Sequence, residues 1–341
     1  MGTPKMTDDM IREAVDLVAM HGSVNAASRA ANIPRSTLQH RYSMRDKDGF
    51  TPAVSFPSFV DEGDEDEPID DLLGRLEKGF NRKHRNATAK RWFEIKVNET
   101  KPYAVLMFGD PHLGDDGCNM PLLQKHLEIA RKPGVYGMNI GDTTNNWVGR
   151  LMRLYAEQDT SSKTEKRLAE WFMFDAGVSW LVWVLGNHDD WNGGADFQKR
   201  LGGRHIPIID WRAQFRLTHK SGTEARVDAS HGRKGSSIWN NLHATLRAAK
   251  LGENADLYVT GHTHNFGLED LEIAEKGVSS WLVQLRGYKW HDHYALTGNW
   301  AEHQRGASVM AIVDPRPDAR RRVMCFEDVE FAYNVLEWMR R

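Results

Sequence analysis

The sequence predicts an α/β domain with two packed sheets, preceded by a small all-α region, and three observations support this. From Pro102 onward, short apolar runs alternate with amphipathic helical patterns, as in a sheet covered by helices. Three later apolar runs, Trp281 to Leu285, Ser308 to Val313 and Arg322 to Phe326, suggest further strands that complete a second sheet. Up to about Asp46, by contrast, the pattern is purely helical.

Asp8 to His21 places Ile11, Ala14, Val15 and Val18 on one helical face, and Gly22 ends that helix. Ser23 is the N-cap of a second short helix through Ala26, Ala27, Ala30 and Ala31, which Asn32 breaks. Pro34 sits where prolines begin helices and opens a third, Arg35 to about Tyr42. Asp61 to Asp71 is an acidic run that cannot pack a core and reads as a disordered linker. A basic stretch follows, with Arg75, Lys78, Arg82, Lys83, Arg85, Lys90 and Arg91, and it includes helix. The expected organisation is a helical domain at 1–46, an acidic-then-basic linker at 47–100 and the α/β domain at 101–341.

Within the α/β domain, Tyr103 to Phe108, Val135 to Ile140, Val178 to Leu185, Val227 to Ala229 and Leu257 to Thr260 read as buried strands. Leu122 to Ala130, Lys163 to Phe174 and Ile238 to Ala249 read as helices between them.

Composition narrows the class. The chain has 341 residues, 40% hydrophobic and 27% charged, a soluble globular profile with length enough to bury a core without disulfides. The two cysteines, Cys118 and Cys325, are too few for a disulfide scaffold and not in metal-ligand spacing, which points to a reducing cytoplasm. Met1 to Met10 is polar and acidic, unlike a secretory leader, and no uncharged apolar stretch could span a bilayer, so no membrane role is expected. The net charge of −2 is neutral about nucleic acid, because it sums an acidic run and a basic one.

Chemistry-bearing residues follow the five apolar runs: Gly109-Asp110-Pro111-His112, Gly141-Asp142, Gly186-Asn187-His188-Asp189, Ser230-His231 and Gly261-His262-Thr263-His264. Such positions lie at the C-terminal ends of strands, where α/β sheets place ligands, and the glycines are expected to turn the backbone sharply there. One histidine after a strand is usually structural, but five such motifs in succession are not readily accidental. Carboxylate, amide oxygen and imidazole without thiolate suit manganese, iron, zinc or similar ions. Seven candidate ligands exceed the needs of one ion and suit two.

The order Asp-x-His, Gly-Asp, Gly-Asn-His-Asp, His, Gly-His-x-His, over Tyr103 to about Asn265, resembles the calcineurin-like metallophosphoesterase family. The resemblance implies that Asp110, His112 and His264 hold one metal, that Asn187, His231 and His262 hold the other, and that Asp142 bridges them. His188 looks like the family's outer histidine, which contacts the phosphate and assists the leaving group. The implied reaction is in-line attack on phosphorus by a metal-held hydroxide, without a covalent protein intermediate. Two divalent ions are implied, with Mn2+ the first choice and iron, zinc, magnesium or nickel as alternatives. Many relatives carry an acid and then an arginine after Gly-Asp, where this chain has Asn145 and Asn146. Asn145 is therefore a candidate to meet substrate or orient a neighbour.

Asp189 is a candidate catalytic residue beside His188, where with Asp190 it either orients the imidazole or caps a helix. Arg233 and Lys234 either meet an anionic substrate or form an ordinary solvated loop. His291-Asp292-His293 reads as structural or substrate-side rather than as a further metal cluster. Trp147, Trp191 and Trp239 could stack on bases or pack loops.

Gly22 to Tyr42 resembles the helix-turn-helix of transposases, resolvases and phage small-terminase proteins, through Ala-Ser-Arg-Ala-Ala-Asn-Ile-Pro-Arg-Ser-Thr-Leu-Gln-His-Arg. In that arrangement Ile33 and Leu38 pack the turn, while Arg35, Ser36, Thr37, Gln39 and Arg41 face a DNA groove and its phosphates. The alternative is a three-helix protein-docking module. Asp110 to Gly114 also resembles the first motif of the family's DNA-repair exonucleases. The expected function is a DNA phosphodiesterase or nuclease, with DNA as partner and a homodimer suggested by the helix-turn-helix. Two other functions stay open: a phosphomonoesterase acting on a nucleotide or phosphoprotein, and a DNA-binding regulator with a non-catalytic phosphoesterase scaffold.

Overall fold

The computed structural model describes residues 6–45, 68–89, 91–202, 206–291 and 307–341. Most of the acidic run, along with Asp292 and His293, lies outside the described residues. The chain divides into two compact units, Met1–Gly79 and Phe80–Arg341.

The first unit contains α1 (Asp8–His21), α2 (Val24–Ala31) and α3 (Arg35–Ser43). Each helix stops for a local reason. Thr7 caps α1 by accepting from the Met10 amide, and Gly22 ends it in the left-handed region at φ 74°. Ser23 caps α2, and Asn32 ends it at φ 53°. Ala14, Val18, Ala27 and Leu38 form the core, with Ile33 and Tyr42 packed against them. Ala27 is fully buried where α2 meets its neighbours, a close approach that a larger side chain would prevent. Helix α4 (Ile69–Ala89) follows and runs across the boundary between the units. It supplies the helix expected in the basic stretch.

The second unit contains β1 (Phe93–Val97), β2 (Tyr103–Phe108), α5 (Met120–Ala130), β3 (Val135–Asn139), α6 (Ser162–Glu170), β4 (Trp180–Leu185), α7 (Asn187–Asp190) and α8 (Gly194–Gly202). It continues with β5 (Ile208–Asp210), β6 (Arg212–His219), β7 (Glu224–Ser230), α9 (His243–Leu251), β8 (Leu257–Thr260), β9 (Gly267–Ile273), β10 (Val278–Gln284), β11 (Val309–Val313), β12 (Val323–Phe326) and α10 (Val329–Met339). One six-stranded sheet has the order β12-β11-β2-β3-β4-β5, the other β1-β6-β7-β8-β10-β9. Side-chain alternation along the strands builds the layers. Val105, Met107, Val182 and Val184 meet Phe215, Val227, Val259 and Val283 between the sheets. Ala104, Leu106, Phe108 and Trp183 face outward onto Leu123, Leu127, Phe172 and Leu336. Tyr258 and Leu282 pack outward against Leu242 and Ala249 around α9. The result is a two-sheet sandwich flanked by helices.

Three expectations need correction, the first being the helix read from Ile238 to Ala249, which begins only at His243 and leaves Ile238 and Trp239 in the preceding loop. The late apolar runs do not all complete a second sheet: β10 does, but β11 and β12 pair antiparallel beside β2 in the first. The strands β1, β5, β6 and β9 were also missed, and β6 shows why. Ala213, Phe215 and Leu217 are buried while the residues between them are not. A search for continuous apolar runs finds strands covered on both faces and passes over such alternation.

Candidate metal centre

The five motifs emerge from both sheets. Beyond β2 and β3 the parallel ladder continues as individual bonds: the Asp110 amide donates to Gly141 O at 3.0 Å, and His112 N to Asp142 O at 3.1 Å. β4 leads into Asn187 and His188, β7 into His231, and β8 into His262 and His264. The Gly261 amide donates to His231 O at 3.0 Å, which joins the β7 and β8 ends in the same way.

Two ligand clusters result. Asp110, His112 and His264 form one, and Asp142, His231 and His262 the other, each with ligand atoms within 4.8 Å of one another. Asn187 joins the second, its Oδ1 3.1 Å from His231 Nε2. Asp142 Oδ2 lies 3.2 Å from His231 Nε2, which places this carboxylate with the second cluster. Each cluster draws on both sheets, so neither exists until the sandwich closes.

The ligand residues themselves carry the backbone strain. Asp110 (φ 48°), His112 (45°), Asp142 (52°), His262 (71°) and His264 (53°) all adopt left-handed backbone, on the order of 1 kcal/mol or more unfavourable each for a non-glycine residue. Of the neighbouring glycines, Gly141 turns the backbone as expected at φ 101°, whereas Gly186 and Gly261 serve by lacking a side chain. A Cβ on Gly261 would lie 2.6 Å from Asp110 Oδ2, and one on Gly186 2.7 Å from the Asp142 amide nitrogen. Strained conformations persist where surrounding bonds over-determine them. Here the His262 amide donates to both Asp110 oxygens at 3.0 and 2.9 Å, and the His188 amide to Asp142 Oδ1 at 2.9 Å.

The donor set fits divalent cations. His112 Nδ1 donates to Asn145 Oδ1 at 2.8 Å, and His231 Nδ1 to the Ile140 carbonyl at 2.9 Å, so each presents Nε2 inward as a lone pair. His112 Nε2 then faces His264 Nε2 at 3.3 Å, and His231 Nε2 faces His262 Nδ1 at 3.1 Å. Ring nitrogens at such distances need either a shared proton or a cation between them, and a divalent ion would supply the second. Burial, with His188 and His264 nearby, holds His112 well below its usual pKa and so in the neutral form a ligand needs. Burial would also lower His231, but the Asp142 carboxylate raises it to about 9, so a proton competes with a cation for Nε2 and metal loading would release it. Asp142 is the converse case: burial favours its acid form, yet His231 and His188 hold it below the usual carboxylate range.

Other anticipated contacts fall differently. His188 Nδ1 donates to the Asn145 carbonyl, and its ring packs against Trp191 at 4.2 Å, Trp147 at 5.2 Å and His112 at 4.9 Å. Its Nε2 lies 3.9 Å from Asp142 Oδ2, on the cluster side. Asp189 does not orient this imidazole. It is buried, accepts from the amides of Gly186 and Thr143 and from Gln198 Nε2, and so caps the turn that carries His188. Burial and neighbouring Asp142 raise its pKa.

Asn145 is fully buried and braces His112 and His188 instead of meeting substrate, while its amide donates to Asp115 and Gln158. Asn146 donates to the carbonyls of His188 and Trp191. Arg233 is turned inward, 7% exposed, bonded to Asp228 and Thr260. Lys234 is exposed. Trp147 is buried and donates to Gln158, which removes it as a stacking platform. The exposed His291 is bonded through its amide to Gly117 O.

Trp211 and Glu165 were missed. Trp211 packs edge-on to His231 at 5.3 Å and donates to Gly232 O, yet precedes β6 in no motif. Glu165, buried on α6, accepts from the Asn146 amide, Tyr155 and Gln158. The one available signal was an acid on the apolar face of a predicted helix.

The family model for calcineurin-like phosphoesterases matches residues 85–266, more than half of the chain and inclusive of all seven candidate ligands. No curated protein sequence matches significantly. Solved structures similar to this one include the phosphoesterase Yfce from E. coli, 15% identical, covering 66% of this chain and 98% of that one, with a TM-score of 0.36. A metallophosphoesterase from Sphaerobacter thermophilus is 16% identical, over 66% of this chain and 87% of that one, with a TM-score of 0.36.

Proposed function

The chain belongs to the calcineurin-like phosphoesterase family, and on that premise we propose that it hydrolyses phosphodiester bonds in DNA. Phosphoester hydrolysis itself follows from membership of a family that binds two divalent metals, together with two clusters able to hold them. Asp110, His112 and His264 would hold one ion, Asn187, His231 and His262 the other, and Asp142 would be shared by both. Bound there, the ions supply charge neutralisation at phosphorus and a lowered pKa for attacking water. His188 contributes from the chain. A carbonyl can only accept, so Nδ1 carries a proton toward Asn145 O, and Nε2 on the cluster side is the atom that exchanges a proton with the leaving oxygen. Trp147 and Trp191 fix the ring in that orientation and keep water from its faces.

The observation that favours DNA is the exposed start of α3. Arg35, Ser36, Thr37 and Gln39 face solvent while Leu38 is fully buried, as a recognition helix requires. Arg41 is half-buried and 3.5 Å from Glu13, so it contributes less. In this reading α1–α3 form a helix-turn-helix, the protein works as a dimer on DNA, and its location is cytoplasmic. Among the described residues no helix is long and apolar enough to cross a membrane.

The test uses the full chain with manganese or magnesium on linear DNA, a generic diester and a monoester. Cleavage of DNA, weakened by Arg35→Ala with Gln39→Ala, is the expected result. Monoester turnover without DNA cleavage would sink the nuclease reading, and stoichiometric metal without turnover of any ester would support a scaffold.

A further inference from the structure

The loop between β7 and α9 leaves ligand His231 and carries the most exposed aromatic side chain among the described residues. Trp239 is 91% exposed and its neighbour Ile238 87%. A tryptophan so placed contacts water over an area that proteins ordinarily cover, and such residues mark binding sites when they rim a functional cleft.

The loop is held at both ends. At its start the Gly232 carbonyl accepts from Trp211 Nε1 at 2.9 Å and from Ser230 Oγ at 2.8 Å, while Arg233 is buried against Asp228 and Thr260. At its end Asn241 Nδ2 donates to the Phe266 carbonyl at 2.8 Å, two residues beyond ligand His264. Gly235, at φ 122°, lies against His243 and closes the loop into a compact projection. Its base is thus fixed between two ligand-bearing segments, and its tip presents Ile238 and Trp239. Lys234, exposed on the same loop, adds a cation. An aromatic face and a cation on one loop, rooted at the candidate metal centre, are the kinds of group that bind single-stranded nucleic acid.

We infer that Trp239 is a stacking platform for a nucleobase of a single-stranded nucleic-acid segment whose phosphate lies at the metal centre, with Lys234 meeting a neighbouring phosphate. This rests on the nuclease reading and deepens it, because it names the strand state and the residue that grips it. Of the three tryptophans considered for stacking, Trp147 is buried and Trp191 is packed on His188, whereas Trp239 is almost fully exposed. Trp239 is eight residues beyond His231, which bounds its reach at about 27 Å and so at a few nucleotides from the centre.

The test is binding of labelled single-stranded oligonucleotides to the full chain in calcium, read by fluorescence anisotropy, beside KM for cleavage in manganese. A single strand offers α3 no groove, so the helical region does not mask the effect. Trp239→Ala is expected to raise Kd and KM about tenfold, and Trp239→Phe to stay within about threefold of the wild type. Abasic sites scanned along the strand should find a position where the wild type weakens equally and the alanine variant weakens no further. Cleavage of DNA with equal affinities for wild type and Trp239→Ala would overturn the loop's role alone. So would equal losses for alanine and phenylalanine, or a loss independent of every abasic position, as expected of a protein-docking loop. Failure of the wild type to bind or cleave any oligonucleotide would instead overturn the nuclease reading itself.

Discussion

The two ligand clusters are alike in composition but are braced by different kinds of group. In the first, the outer nitrogen of His112 rests on a side chain, Asn145, which depends in turn on Asp115 and Gln158. In the second, His231 rests on the Ile140 carbonyl, Asp142 takes the His188 amide, and Gly186 leaves room for both. The first brace can be removed by changing one side chain. The second is part of the backbone and changes only with the chain's path.

The largest expected effect comes from Asp142→Asn. Losing this charge should release the second ion and lower diester turnover about 10³-fold. Metal counting beside kinetics checks it, and an unchanged second ion would remove Asp142 from the ligand set.

Asp228→Asn tests the support behind the second cluster. Asp228 is fully buried against Arg212 and Arg233, and Arg233 follows His231 by two residues. Losing the charge should destabilise the protein by about 3–5 kcal/mol at pH 7. The sign with pH is fixed by the carboxylate's shift. Burial raises its pKa, but the two arginines outweigh burial and hold it below the ordinary value. Its stabilisation is therefore whole above about pH 4 and fades as pH falls through the lower folded value. Urea midpoints of variant and wild type should converge in acid, and a constant gap would contradict the ion-pair account.

Gly186→Ala probes the backbone brace directly. The added methyl meets the Asp142 amide nitrogen and should destabilise by about 1–3 kcal/mol, with the second ion weakened more than the first. Asn145→Ala should do the reverse, with first-ion affinity falling roughly 10–100-fold and the second little changed. Calorimetric titration separates the two sites. Equal losses at both sites in either variant would erase the distinction between side-chain and backbone support.

The ease of reading differed across the molecule. Helices α1 to α3 were legible nearly to the residue, because Gly22, Ser23 and Asn32 act on neighbours within a turn. Strands β2 and β8 matched for a related reason, since every residue in each is buried and the apolar run is continuous. β6 needed attention to alternation. The sheet that β11 would join could not be read, because pairing with β2 spans some two hundred residues and leaves no local periodicity.

The candidate ligand residues were legible in the chain, because each follows a strand end in a spacing that survives without the fold. Their convergence was decided by tertiary structure, as each cluster takes residues from both sheets. So was the direction of the supporting side chains. Asn145 and Asp189 turned inward because their polar groups satisfy buried histidines and amides, and Arg233 because Asp228 lies within 2.9 Å. Trp239 stayed outside because the loop's anchors close beneath it. Burial and hydrogen-bond partners are properties of three-dimensional neighbours, and sequence spacing carries no record of them.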